Sequence, residues 1–242
     1  MPDAISPDRL RLASHIRACN CGRGVILLDL QRDRYLGVTE SVSRALAGRV
    51  DGWPVHTGMA EDAETRQDAF ADGARSLLSQ GILTKHLSDP PPMINLEDAT
   101  ASMDVEVSPA FRNFGTRRLL QFTTSVAIAA WGLRYHSLQT VARSIAARRA
   151  QLLMPEAESL QGMRSGVAAY EALRPFVFTA REKCLLDSLT LVTFLAKEGF
   201  APRWVIGVKV GPFGAHSWVQ CGKTVLNDQH AYVRQFRPIL VV

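Results

Sequence analysis

The stretch Ser88 to Val107 divides this 242-residue chain in two: it carries the run Pro90-Pro91-Pro92, five acidic residues and no basic one. Consecutive prolines fix φ and donate no backbone hydrogen bond, so neither a helix nor an interior strand passes through them. The sequence therefore predicts two domains, residues 1–87 and 108–242, joined by a linker over 88–107. The length suffices for two cores, and the composition, 47% hydrophobic and 21% charged, is that of folded chains.

In the N-terminal part, apolar and polar residues alternate from Leu10 to Ile16. Val25 to Leu30 is an aliphatic run, and Tyr35 to Val38 follows the polar turn Gln31-Arg32-Asp33-Arg34. These read as three short strands. Thr39 is placed to cap a helix with Val42, Ala45, Leu46 and Val50 on one face, ended by Gly52 and Pro54. A second helix between Asp62 and Ser79 has Phe70, Ala74 and Leu77 on its apolar face and Gly81 at its C-terminal cap. Ile82 to His86 reads as a returning strand, which gives the pattern of a winged helix-turn-helix.

After the acidic linker the charge reverses, since Ser108 to Ala150 contains seven arginines and no acidic residue. Its apolar spacing predicts two helices, Phe111 to Leu133 and Leu138 to Ala150. The arginines form either a solvated face or a docking surface for an acidic partner. The net charge of +5 permits nucleic acid without implying it. There is no phosphate-cradling glycine loop and no basic-aromatic stripe, so no nucleic acid is expected as partner. Four scattered cysteines do not make a disulfide framework and read as reduced thiols. No secretory leader is visible, and the longest apolar stretch, Ser125 to Leu133, is too short to span a bilayer. The expected location is the cytoplasm, without membrane insertion. His15, Cys19 and Cys21 fall short of a zinc pattern, so neither metal nor cofactor is expected.

The chemistry gathers near the C-terminus. Thr179 and Glu182 have capping-box spacing before a run in which Cys184, Leu185, Leu189, Val192 and Leu195 share helical periodicity, up to Gly199. A thiol in the first turn of a helix feels the partial positive charge of unpaired N–H groups, which favours the thiolate. A cap at Thr179 puts Cys184 fifth in the helix, where little of that field remains; a start at Lys183 would leave it more.

Beyond Gly199 the chain reads as an antiparallel meander: Trp204 to Val210, Ala215 to Cys221 and Thr224 to Asp228. A three-residue loop Cys221-Gly222-Lys223 would pair Gln220 with Thr224 and set His216 opposite Asp228 on one face, within reach of a hydrogen bond. A two-residue loop would pair Asp228 with Ser217 and turn the carboxylate to the other face unless a bulge intervened. In the first register Cys184, His216 and Asp228 are the parts of a thiol acyl-transfer site: nucleophile, general base and orienting carboxylate.

The segments Cys184-Leu185-Leu186-Asp187-Ser188-Leu189, Glu198-Gly199-Phe200, Ile206-Gly207-Val208, Pro212-Phe213 and Ala215-His216-Ser217-Trp218-Val219, followed by Asp228, resemble the B proteins of lasso-peptide biosynthesis. The peptidase part of that family is transglutaminase-like. The resemblance implies a catalytic triad of Cys184, His216 and Asp228. Ser217 and Gln220 stand where the family usually has alanine and an acidic residue. Val25 to Leu30 and Arg34-Tyr35-Leu36 are similar to strands of the PqqD-like module that some members fuse to the peptidase and that binds precursor leaders. By that resemblance Tyr35, Leu36 and Gly37 would supply the edge to which a leader adds as a strand, and Phe70, Ala74 and Leu77 its groove.

The expected fold is α+β: an N-terminal winged helix-turn-helix, PqqD-like domain and a C-terminal papain/transglutaminase-like domain, helices packed on a small antiparallel sheet. The expected function is a leader peptidase for a ribosomally made precursor peptide, with a lasso cyclase as further partner. Transamidation, or a non-enzymatic winged-helix nucleic-acid-binding or scaffold protein, are the alternatives.

Overall fold

A computed structural model describes residues 10–22, 24–54, 63–86, 94–105, 115–152, 156–177 and 183–242. The backbone separates into two units, Met1–Met93 and Ile94–Val242.

The first unit is built on an antiparallel sheet of β2 (Ile16–Asn20), β3 (Gly24–Asp29) and β4 (Arg34–Thr39), in that order. The strand expected over Leu10 to Ile16 is corrected. Only β1 (Arg11–Leu12) forms there, and it pairs with β5 (Leu83–Thr84) instead of joining the larger sheet. The alternation belongs to two strands separated by a turn at Ala13–His15, closed by the Ile16 N–H donating to the Ala13 carbonyl at 2.9 Å. Thr39 occupies the N-cap of α1 (Glu40–Leu46), but its side chain makes no capping bond, and the helix stops short of Val50. α2 (Ala63–Ser79) turns its apolar face inward. Leu12, Ile16, Leu27, Leu46, Trp53, Ala74, Leu77 and Ile82 form the core between the sheet and these helices. Fully burying each large aliphatic or aromatic side chain contributes about 1.5–3 kcal/mol.

The second unit has a five-stranded sheet ordered β10-β7-β8-β9-β6: β6 (Ala101–Ser102), β7 (Arg203–Lys209), β8 (Gly214–Cys221), β9 (Thr224–Val225) and β10 (Arg237–Val241). All neighbours are antiparallel except β6 and β9, which run parallel. The presence of β6 corrects the reading of 88–107 as linker throughout: from Ile94 onward the chain belongs to the second unit, with Ala99 and Met103 buried. Gln220 fastens this segment, donating from Nε2 to the Glu97 carbonyl at 2.7 Å while its Oε1 accepts from Trp218 Nε1 at 3.0 Å.

Helices α3 (Gly115–Tyr135), α4 (Leu138–Gln151), α5 (Glu156–Leu173) and α6 (Cys184–Lys197) come before most of the strands, and the short α7 (His230–Val233) lies between β9 and β10. The two arginine-rich helices lie close to their expected bounds, and α5 was not foreseen. Helix α6 is the hub, packed against α3, α5 and β8, with Leu191, Phe194 and Leu195 fully buried. It ends in a Schellman pair, with Phe200 N–H donating to the Leu195 carbonyl and Gly199 N–H to that of Ala196. No described helix is long and apolar enough to cross a membrane.

Candidate active site

The helix that carries the thiol begins at Cys184, with Lys183 as N-cap. The proposed capping box lies outside the described residues apart from its neighbour Lys183. Of the two starts considered, the structure has the one that puts the sulfur in the first turn, where the N–H groups have no intrahelical partner. Cys184 is half-buried. Burial works against its thiolate, but a hydrogen bond from His216, backbone N–H groups of Ser217 and Leu185, and the imidazolium charge outweigh it, so the thiol lies below its ordinary value.

His216 stands near the start of β8, opposite Gly207 of β7. Its Nε2 is 2.7 Å from Asp228 Oδ2, which leaves Nδ1 as the ring nitrogen available to the thiol. The residue is 8% exposed. Burial favours the neutral ring, yet the bonds to Asp228 and Cys184 prevail and raise its pKa to about 9. Asp228 is held below the usual carboxylate range: burial opposes its charge, and the His216 bond and the Gln229 N–H, which donates to Oδ1 at 2.7 Å, outweigh that.

The hairpin that brings Asp228 to His216 is not the one expected. The pairs are Cys221 with Thr224 and Gln220 with Val225, so the loop is the two-residue Gly222-Lys223. That register would have turned Asp228 away, but the ladder lasts only two residues on β9. Leu226 N–H still donates to the Val219 carbonyl at 2.9 Å. Then the side chain of Asn227 takes over: its Oδ1 accepts from Val219 N–H at 2.9 Å, standing in for a backbone carbonyl. The chain leaves the sheet at this point and Asp228 swings back to the histidine. Asn227 escaped the sequence reading because a side chain imitating a ladder bond leaves no period-two signature.

An aromatic enclosure around His216 was also missed. Trp218 stacks on it with centroids 6.2 Å apart at 16°, Tyr232 meets it edge-on at 5.1 Å, and Phe236 lies 5.3 Å away. Gly207 makes room: a Cβ there would lie 2.8 Å from Trp218 and 2.9 Å from Phe236. Ser217 pairs with Ser188 of α6, their oxygens 2.7 Å apart, and Trp204 Nε1 donates to the same Ser188 hydroxyl at 3.0 Å. The serine that departs from the family pattern is thus part of the joint between α6 and the sheet.

In the first unit, Tyr35, Leu36 and Gly37 lie on β4, which among the described residues has a sheet neighbour on one side only. Gly37 is exposed. Ala74 and Leu77, read as groove residues, are 5% and 7% exposed and belong to the core, while Phe70 is partly buried with the Arg49 guanidinium 4.8 Å over its ring. His15 faces the buried Asp29 at 3.9 Å, and the Cys19 and Cys21 sulfurs are 4.0 Å apart. Among the described residues no three His, Cys, Asp or Glu are grouped to hold a metal. An apolar cavity of about 550 Å³ between α3, α4 and α6 is lined by Trp131, Val141, Ile145, Val192 and Phe200, and by none of Cys184, His216 and Asp228.

Comparison with curated proteins and with solved structures gave no match. The family model of the transglutaminase-like superfamily matches residues 120–241, a span that runs from α3 to β10 and includes Cys184, His216 and Asp228. With half of its length so matched, the chain belongs to the transglutaminase-like superfamily, which includes cysteine peptidases and acyltransferases.

Proposed function

We propose that this chain is a leader peptidase of lasso-peptide biosynthesis, binding a ribosomally made precursor through its first unit and hydrolysing the leader–core bond with Cys184, His216 and Asp228. The observation that carries the reading is the 2.7 Å bond between Asp228 and His216 together with a thiol in the first turn of α6 whose lowered pKa is due in part to that histidine. A lowered thiol pKa beside a raised imidazole pKa favours the thiolate–imidazolium pair near neutrality.

The thiolate attacks the scissile carbonyl carbon. Its electron pair moves to oxygen, and the backbone N–H of Cys184 is one donor to that oxyanion. Collapse expels the amine of the core, which takes its proton from His216, and leaves a thioester of the leader. Neutral His216 then accepts a proton from water as the water attacks the thioester; collapse expels the sulfur as thiolate, restoring the thiolate–imidazolium pair, and the leader acid gives its proton to solvent as it leaves as carboxylate. Asp228 keeps the ring oriented and stabilises its charge.

Among the described residues β4 has a sheet neighbour on one side only and Gly37 on it is exposed, which supports leader capture by strand addition along β4. This agrees with the PqqD-like, winged-helix reading of the first unit. The ring-closing partner would be a separate cyclase, since the chain shows no nucleotide-binding glycine loop with which to activate a carboxylate.

The test is incubation of the purified protein with the precursor peptide encoded nearest its gene, followed by mass spectrometry. Free leader and core are expected from the wild type. Cys184→Ala is expected to give neither while retaining leader affinity. A product in which an amine has replaced water would move the assignment to transamidation. Cleavage that survives Cys184→Ala would end it.

A further inference from the structure

Asp187 lies three residues beyond Cys184, one turn along α6, and is only 3% exposed. Its Oδ1 accepts from the Tyr170 hydroxyl at 2.7 Å. Its Oδ2 accepts from Asn227 Nδ2 at 3.0 Å and from an Arg174 guanidinium nitrogen at 2.9 Å. Arg174 also reaches the Asn227 carbonyl at 3.4 Å. A buried carboxylate is costly unless its oxygens are met by donors, and these donors come from α5, from the turn after it and from the segment following β9. Asn227 in turn holds Val219 N–H of β8 and directly precedes Asp228.

We propose that Asp187 is a positioning residue of the thiol site: through Asn227 it fixes the segment bearing Asp228 relative to the helix turn bearing Cys184, so that carboxylate, imidazole and sulfur are in register. The proposal rests on Cys184 being the nucleophile. The carboxylate is on the same helix as the thiol and one residue removed, through Asn227, from the group that orients the base. Loss of it would let the 226–228 segment drift from His216 with the fold in place. In Asp187→Asn a single acceptor oxygen would face three donors, and the new N–H groups would point at donors.

A substrate-free measurement separates this from a role in stability alone: the pH dependence of iodoacetamide alkylation of Cys184, followed by mass spectrometry of its peptide in the full chain. Asp187→Asn removes a negative charge, which by itself favours the thiolate and moves the midpoint down. Lost alignment of Asp228 and His216 moves it up. The expected result for Asp187→Asn is an upward shift of about one unit, or about tenfold slower alkylation on the acid side of both midpoints. Asn227→Ala breaks the same bridge from its other end and is expected to shift the midpoint the same way, which keeps the test open if the first variant does not fold. Leu191→Ala, a core truncation in the same helix, is expected to lower the melting temperature and leave the midpoint in place.

A midpoint unmoved or lowered in the folded bridge variants would overturn the proposal, as would an equal upward shift in Leu191→Ala. An ordinary thiol midpoint in the wild type would remove the peptidase reading as well. A low wild-type midpoint with unmoved bridge variants would remove the role of Asp187 alone.

Discussion

His216 is pulled two ways, because burial disfavours its charge while Asp228 and Cys184 favour it, and the second effect prevails to about 9. The consequences have definite signs. Cleavage measured as kcat/KM should rise as pH passes the lowered thiol midpoint and fall as His216 loses its proton near 9. In Asp228→Asn the falling limb should move from about 9 toward the ordinary 6.5, with kcat reduced by orders of magnitude. The same linkage governs stability. A raised histidine stabilises the folded state fully below its unfolded value of 6.5, and that contribution is lost as pH rises through about 9. A lowered aspartate does the reverse, contributing above 3.8 and losing it in acid. The difference in urea midpoint between wild type and Asp228→Asn should therefore be greatest between 3.8 and 6.5, shrink as pH rises through about 9 and shrink again in acid.

The joint between β7 and β8 sets the tolerance of the site to small changes. Gly207 faces His216 across the ladder, and the space where a side chain would stand is filled by Trp218 and Phe236. Gly207→Ala should cost about 1–3 kcal/mol through overpacking and displace the aromatic enclosure. Thermal unfolding would show the loss, and the Cys184 alkylation profile would show the displacement. Helix α6 was legible in the sequence because its apolar spacing is strong and Gly199 marks its end, which set the candidate thiol ahead of the strands expected to carry the candidate histidine and aspartate. The hairpin register was not: three-residue and two-residue loops were both compatible with Cys221-Gly222-Lys223, and the deciding bond comes from the side chain of Asn227. Helix α5 was overlooked because Gly162 and Gly166 weaken its intrinsic preference. Only the packing shows why they are there, with Phe200 seated against Gly162 at a separation of 2.9 Å from where a Cβ would be. Likewise β6 is two residues long, and its acidic neighbourhood resembles a linker until its parallel partner is known.

For the whole molecule, the proposed function puts capture and chemistry in separate units of one chain, so on that reading the linkage between them should affect rate more than affinity. Inserting a flexible stretch of about 20 Gly/Ser residues after Pro92 should leave leader affinity and Cys184 alkylation unchanged while lowering kcat for a bound precursor several-fold, as effective concentration falls. Conversely, Gly37→Pro on the exposed edge of β4 should weaken leader binding about tenfold in fluorescence anisotropy without moving the alkylation profile. The Trp218 indole, near-parallel to the His216 ring with centroids 6.2 Å apart, gives the molecule a means of declaring its own protonation state. A charged imidazole drains the excited state of an adjacent tryptophan and a neutral one does not. The ultraviolet emission of the protein should brighten as alkali strips that ring of its proton, and Trp218→Phe should extinguish the step, so the charge on the base is visible as light with no substrate bound.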